Sequence, residues 1–257
     1  MKNYDFWNIL FSGKCNARCP YCIGWKLEEK HPWNLDIIPP KNLENFIALV
    51  KKHAIQEIIC TGTDTDPLLY HYQKELLEIF RKETPNTKIS VHTNWFLILR
   101  QLSTFNLYDK ATISLPSFNE TTFQTMMGTK QKVLDLQGIS EATNIPLKVS
   151  RIVSEMNNTW EETSDYLENI SRTKIRRIAF RKLASDTSSW EKEVEILENL
   201  WARYHWEYRG NPIYTFWDIE ITLWSFTKTT SNSINLFSDG SISTTYLLKE
   251  NKKNTWK

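Results

Sequence analysis

Residues 42–60, NLENFIALVKKHAIQEIIC, decide the fold. Leu43, Phe46, Ile47 and Val50 fall at spacings of three, four and seven, which places them on one face of a helix from Asn42 to His53. Glu57 to Cys60 follows. It is too short for a helix and carries adjacent isoleucines, so it reads as a strand. This helix-then-strand unit recurs in both directions. Upstream, Phe6 to Phe11 reads as a first strand. Downstream come a helix over Leu68 to Lys82, a strand over Lys88 to His92 and a helical run from Phe96 to Phe105. Ala111 to Leu115 is a strand, Glu120 to Thr143 mostly helix, and Pro146 to Val153 a strand. Thr159 and Glu162 form the signature of a capping box, for a helix ending near Ser171. Ile175 to Leu183 is a strand. Ser188 and Glu191 offer a second capping box, for a helix presenting Trp190, Val194, Leu197, Trp201 and Tyr204 on one stripe.

Six successive β-then-α units predict parallel strands joined by right-handed helical crossovers, an α/β fold. The last fifty residues differ. Ile213 to Trp224, Ile234 to Phe237 and Ser241 to Leu247 read as strands, with a hairpin turn at Asp239-Gly240. The chain therefore divides into a body over residues 1–210 and a small β-rich closing element with a frayed polar tail over 211–257.

Composition bounds the function. The 257 residues are 40% hydrophobic and 24% charged, the balance of an ordinary globular protein. A net charge of +2, from 32 basic and 30 acidic residues, disfavours nucleic acid as a partner and gives no pull toward a membrane surface. No apolar run approaches the roughly 18 residues of a membrane span. Residues 1–11 lack the basic-then-apolar pattern of a secretion signal, so a reducing cytoplasmic setting is expected. Four cysteines are too few for a disulfide scaffold and point to metal binding or catalysis.

Three of those cysteines share one loop, Cys15-Asn16-Ala17-Arg18-Cys19-Pro20-Tyr21-Cys22, immediately after the first strand. Thiolates are soft ligands, suited to iron–sulfur clusters or zinc. Three close cysteines can bind three corners of a cubane and leave its fourth iron open, whereas a structural zinc wants a fourth protein ligand. Cys60 or a histidine could supply one, but none lies at finger-like spacing. A non-enzymatic metal- or cluster-binding α/β module, acting as sensor or scaffold, is the alternative to an enzyme.

The C-x3-C-x2-C loop, with Tyr21 before its last cysteine, resembles the signature of the radical S-adenosylmethionine (SAM) superfamily. The resemblance implies that Cys15, Cys19 and Cys22 hold a [4Fe-4S] cluster. It implies that SAM chelates the open iron through its amine and carboxylate. One electron then cleaves SAM to a 5′-deoxyadenosyl radical, which abstracts hydrogen from a substrate. An external one-electron donor such as a flavodoxin or ferredoxin is implied. So is a full or partial (β/α)6 TIM-like barrel, its site at the C-terminal ends of the strands. Thr61-Gly62-Thr63-Asp64-Thr65-Asp66-Pro67 resembles the family's Gly-Gly-Glu segment, although the second glycine is missing and the loop is about two residues longer. Asp66 matches the acid, with Asp64 as its rival.

His92-Thr93-Asn94-Trp95 resembles a Thr-Asn-Gly at the end of strand three, with Trp95 in place of the glycine, so that the turn differs or the indole faces the cavity. Ser114 and Ser150 match positions that contact SAM, and Arg181 could reach its carboxylate or the substrate. Tyr21, Thr61, Gly62, Asp66, Thr93, Ser114, Ser150 and Arg181 are thus the candidate SAM contacts. Many relatives carry further clusters after the barrel. Asn235 to Thr245 resembles the hairpin that opens such extensions, yet residues 61–257 contain no cysteine, so one cluster is expected. Cys60 is expected to be a buried apolar residue. An unidentified substrate is expected, with a peptide or small molecule favoured.

Overall fold

The computed structural model describes residues 4–27, 31–184 and 186–244. Six strands and their crossovers follow the repeat seen in the sequence: β1 (Phe6–Phe11), α1 (Leu43–Lys52), β2 (Glu57–Gly62), α2 (Gln73–Glu83), β3 (Lys88–Thr93), α3 (Leu102–Phe105), β4 (Lys110–Ser114), α4 (Glu120–Met127), α5 (Leu136–Ala142), β5 (Leu147–Ile152), α6 (Trp160–Ser171), β6 (Arg177–Arg181) and α7 (Glu191–Asn199). β1 to β6 lie side by side and parallel, in sequence order. The rest of the chain forms β7 (Arg203–Tyr208), β8 (Asn211–Phe216), β9 (Ile219–Trp224), β10 (Ser233–Leu236) and β11 (Ile242–Ser243). β9 runs parallel to β6, and β10 parallel to β1. The sheet is therefore open, with β11 at one edge and β7 at the other.

The two faces of this sheet differ in chemistry, because successive strand residues point to opposite sides. One face carries Trp7, Ile9, Ile58, Cys60, Ile89, Val91, Ile113, Val149, Ile178 and Phe180, packed with Phe46, Phe80, Phe123 and Leu167 of the helices. Each such large side chain, fully buried, contributes about 1.5–3 kcal/mol. The other face is polar: Asn8, Glu57, Ser90, His92, Lys110, Ser114, Lys148, Ser150, Arg177, Arg181, Glu220 and Thr222. Parallel strands covered on both sides read as continuous apolar runs. The polar alternation here marks the inner wall of a partial barrel.

Several expectations need correction. The run Glu120 to Thr143 is broken, because Gly128 takes φ +56 after α4 and a Cβ there would sit 2.0 Å from the Arg18 carbonyl oxygen. α2 starts only at Gln73, after a 3-10 turn at Pro67–Leu69; the helical run expected over Phe96 to Phe105 forms from Leu99 onward, as a 3-10 turn at Leu99–Gln101 followed by α3. Thr159 does cap α6, accepting from the Glu162 N–H, but the Glu162 side chain takes the Ser117 hydroxyl instead of closing the box. Ser188 caps nothing; its hydroxyl accepts from Lys182, and α7 begins without a side-chain cap. The stripe to Tyr204 also fails. The N–H groups of Trp201 and Ala202 return to the Glu198 and Leu197 carbonyls, a Schellman ending with Trp201 at φ 65. Tyr204 then lies on β7. Ile213 to Trp224 is two strands, turning at Trp217-Asp218. The hairpin at Asp239-Gly240 forms as expected, joining β10 to β11. Residues 245–257, with Thr245 and the polar tail, lie outside the described residues.

Candidate active site

The cysteine loop leaves the C-terminal end of β1 and lies against the loop after β2. Gly62 is required there: a Cβ would fall 1.7 Å from the Thr65 carbonyl oxygen. The Asp64 carboxylate accepts the Gly13 N–H at 3.1 Å, and the Thr65 hydroxyl donates to the Lys14 carbonyl at 3.4 Å. From the far side, the Arg18 N–H donates to the Met127 carbonyl at 3.1 Å, and the Met127 sulfur stands 4.0 Å from Cys19 Sγ and 3.8 Å from the Tyr21 hydroxyl. Chain segments far apart in sequence thus fix the loop.

All three loop cysteines are half-buried. Burial, as the largest cause, pushes the Cys15 thiol up to about 11 and the Cys19 thiol up to about 12; Cys22 is raised as well. Cys15 and Cys22 each raise Cys19, so the three thiols share one electrostatic neighbourhood. Among the described residues no three His, Cys, Asp or Glu side chains gather around a single ion. A lone zinc would draw its sulfurs to within about 2.3 Å of one point. A cubane gives each thiolate its own iron and spreads the sulfurs apart. The positive charge of bound iron supplies what bare thiolates lack in this low-dielectric pocket. The residues therefore fit a [4Fe-4S] cluster. Asn94 Oδ1 and Thr63 Oγ1 are buried near this loop without a protein partner, polar capacity left for a ligand.

The other predicted residues separate into groups. Asp66 and Thr93 are brought together and turned inward. The Asp66 carboxylate accepts from Leu68 N–H at 2.9 Å, Asn94 N–H at 2.5 Å and the Thr93 hydroxyl at 2.9 Å, and it is 3% exposed. Burial, partly offset by these donors, raises its pKa to about 6. It thus ties the β2 loop to the end of β3. Asp64 is more open and raises Cys22 electrostatically. Trp95 keeps a left-handed backbone, φ 65, where a glycine would sit, and buries its indole edge-on to Phe123. Ser114 and Ser150 are register partners on the inner wall, and Arg181 faces the Trp224 and Phe226 rings from the next strand. Thr61 is half-buried at the end of β2.

Sequence reasoning passed over Asn94, His92 and Lys148. Asn94 stood inside the quoted Thr-Asn segment, but its neighbours Asn16 and Cys15 are set by folding. Burial, then Arg181, Lys148 and Lys110, hold His92 down to about 3, a neutral imidazole. Burial, then Arg177 and Arg181, lower Lys148 to about 8 against the pull of Glu220. Lys110 pairs with Glu57, and Arg177 with Glu220. Cations thus outnumber carboxylates on this wall.

Comparison with known proteins decides the family. A radical SAM superfamily model matches residues 9–177, more than half the chain and the segment that holds the cysteine loop. The chain belongs to the radical SAM superfamily. GTP 3′,8-cyclases are similar in sequence: that of Listeria monocytogenes serovar 1/2a is 26% identical over 228 residues, covering 81% of this chain and 66% of its own. A Campylobacter jejuni cyclase is 26% identical over 217 residues, covering 79% and 65%. The chain spans about two thirds of the length of these relatives. Among solved structures, Streptococcus suis SuiB bound to S-adenosylmethionine has a TM-score of 0.67 at 14% identity, covering 94% of this chain and 60% of that one. Methylornithine synthase (PylB) has a TM-score of 0.53 at 13% identity, covering 77% and 62%. At such identities the likeness is one of fold. It agrees with the partial barrel found here. Radical SAM enzymes use a [4Fe-4S] cluster and SAM, the cofactors that the cysteine loop suggested.

Proposed function

We propose that this radical SAM protein cleaves SAM reductively at one [4Fe-4S] cluster and acts on a small anionic substrate held against the polar wall. The observation that carries the reading is the loop of Cys15, Cys19 and Cys22 at the end of β1, pinned beside the β2 and β3 loops at one mouth of the sheet. When bound, the cluster supplies the single electron that splits the C–S bond of SAM. The chain's own residues bind, orient and shield. Cys15, Cys19 and Cys22 ligate iron, and Tyr21 packs beside Cys19. Gly62 and Thr61 present backbone to the amine of SAM. Asp66, with Thr93, holds the β2 and β3 loops at the spacing this requires, and its carboxylate acts on SAM through them. Ser114 and Ser150 suit ribose hydroxyls, and Arg181 a carboxylate. Residues 1–210 carry this chemistry, and β8 to β11, within 211–257, extend the open sheet on both sides.

The surplus of cations around Lys148 favours a phosphate- or carboxylate-bearing small molecule. The nucleotide in the names of the similar cyclases points the same way. A peptide is the second reading; a SuiB structure with its precursor peptide shares the fold. An external one-electron donor and a cytoplasmic setting belong to the same proposal. The test is iron and sulfide content after anaerobic reconstitution. About four irons per chain, the content of one cubane, are expected; one equivalent of zinc and no sulfide would replace this reading with a zinc module.

A further inference from the structure

The Asn94 side chain stands between the cysteine loop and the end of β3. Its backbone N–H is spent on Asp66 at 2.5 Å, which fixes where the side chain begins. The amide nitrogen donates to Asn16 Oδ1 at 2.5 Å and lies within donor reach of Cys15 Sγ, 3.7 Å away. The Asn16 side-chain carbonyl, which the Cys15 thiol also faces at 3.7 Å, holds the amide nitrogen beside the sulfur. Cys15 also receives the Ala17 N–H at 3.5 Å and a backbone hydrogen bond from Asn16, so Asn94 is the side-chain donor that joins them. No comparable side-chain amide reaches Cys19 or Cys22 among the described residues; Cys19 faces the Met127 carbonyl and sulfur.

Hydrogen bonds to the sulfurs of an iron–sulfur cluster help to set its reduction potential. A donor stabilises the state with more negative charge on sulfur, which is the reduced state. Partners one shell beyond a metal also orient the ligand itself. We propose that Asn94 is a positioning residue for the cluster: its amide donates to the Cys15 thiolate, holds that ligand in place and raises the cluster's reduction potential. The inference rests on the reading that Cys15, Cys19 and Cys22 hold a [4Fe-4S] cluster.

The experiment compares the full chain with Asn94→Ala and Asn94→Asp, each reconstituted anaerobically. Iron and sulfide are counted first. The midpoint potential is then read by redox titration of the reduced cluster's electron paramagnetic resonance signal. Both variants are expected to keep the iron content of the parent. Asn94→Ala should shift the reduced-to-oxidised ratio about tenfold toward oxidised at a fixed ambient potential, which is about 59 mV for a one-electron couple. Asn94→Asp, nearly the same shape but with a carboxylate in place of the donor, should shift it further the same way. A role in packing alone predicts no such order. Asn94→Asp also keeps the test open if Asn94→Ala fails to load. Loaded variants with the parent's midpoint would overturn the role of Asn94 and leave the cluster standing. A parent that takes up no iron and sulfide would overturn the underlying reading, and this inference with it.

Discussion

The sheet from β1 to β6 and the segment from β7 to β11 are built by different rules. In the first, each strand is followed by a crossover, and apolar residues recur at helical or alternating spacing, so one face of every element is committed to the core. In the second, β7 is exposed along its whole length, β8 and β9 pair as a hairpin, and β10 returns to lie parallel beside β1. The first region places the cysteine loop beside the loops that follow β2 and β3 and the end of α4. The second supplies two edges. The guanidinium of Arg209, at the β7–β8 turn, donates to Asp5 just before β1, whose other oxygen accepts the Asn232 N–H at 2.8 Å. The candidate site thus lies where the pattern is regular, and the edges of the sheet where it is not.

The sharpest test of that division uses two cysteines of the regular region that point to different environments. Cys19→Ala removes a loop thiolate with no spare beside it and should abolish both the cluster absorption and SAM cleavage. Cys60 is packed with the helices behind the sheet, so Cys60→Ala should keep both. An unchanged cluster in Cys19→Ala would break the assignment.

Lys148 tests whether the inner wall is kept cationic at a cost to the fold. Its folded pKa, about 8, lies below its ordinary 10.5. The unfolded chain therefore binds more protons between those values, and stability rises with pH across that window. Lys148→Met should raise stability below pH 8 by about 3 kcal/mol, and the gain should vanish by pH 10.5 in urea titrations. A gain that did not change with pH would show ordinary packing instead.

Asp66 and Asp64 sharpen the comparison within the β2 loop. Asp66→Asn turns an NH2 toward the N–H of either Leu68 or Asn94 and should cost about 1–3 kcal/mol of stability, with weakened SAM binding following from the displaced loop. Asp64→Asn loses less, because its carboxylate receives a single N–H at 3.1 Å. Isothermal titration with SAM beside thermal unfolding separates the two effects. If Asp64→Asn abolishes SAM binding while folding normally, Asp64 is the acid that meets the ligand.

The smallest effect belongs to the junction between the two regions. Trp201 is 88% exposed and holds φ 65 at the Schellman end of α7, where a residue other than glycine costs about 1–2 kcal/mol. Trp201→Gly should gain about 1 kcal/mol in chemical denaturation without altering iron content. A loss of stability would show that the indole makes a contact the chain depends on.

These contrasts also explain what was legible in the sequence. The six βα units were readable because burial imposes period on both element types. The three cysteines were readable because they fall within eight consecutive residues, Cys15 to Cys22. The end of α7 was not, since a tryptophan occupies the position that normally advertises itself with glycine. The turn at Trp217-Asp218 was hidden for the same reason, with φ 52 at Trp217. The inward use of Asp66 was invisible because its partners, Thr93 and Asn94, come from the next strand. Lys148 gave no local signal, as its environment is made by strands on either side.

The central claim is tested most directly by product. The anaerobically reconstituted chain, reduced by a strong one-electron donor and supplied with SAM, should release 5′-deoxyadenosine detectable by mass spectrometry, and Cys19→Ala should release none. Fully loaded, reduced protein that bound SAM and yielded no 5′-deoxyadenosine would contradict the account.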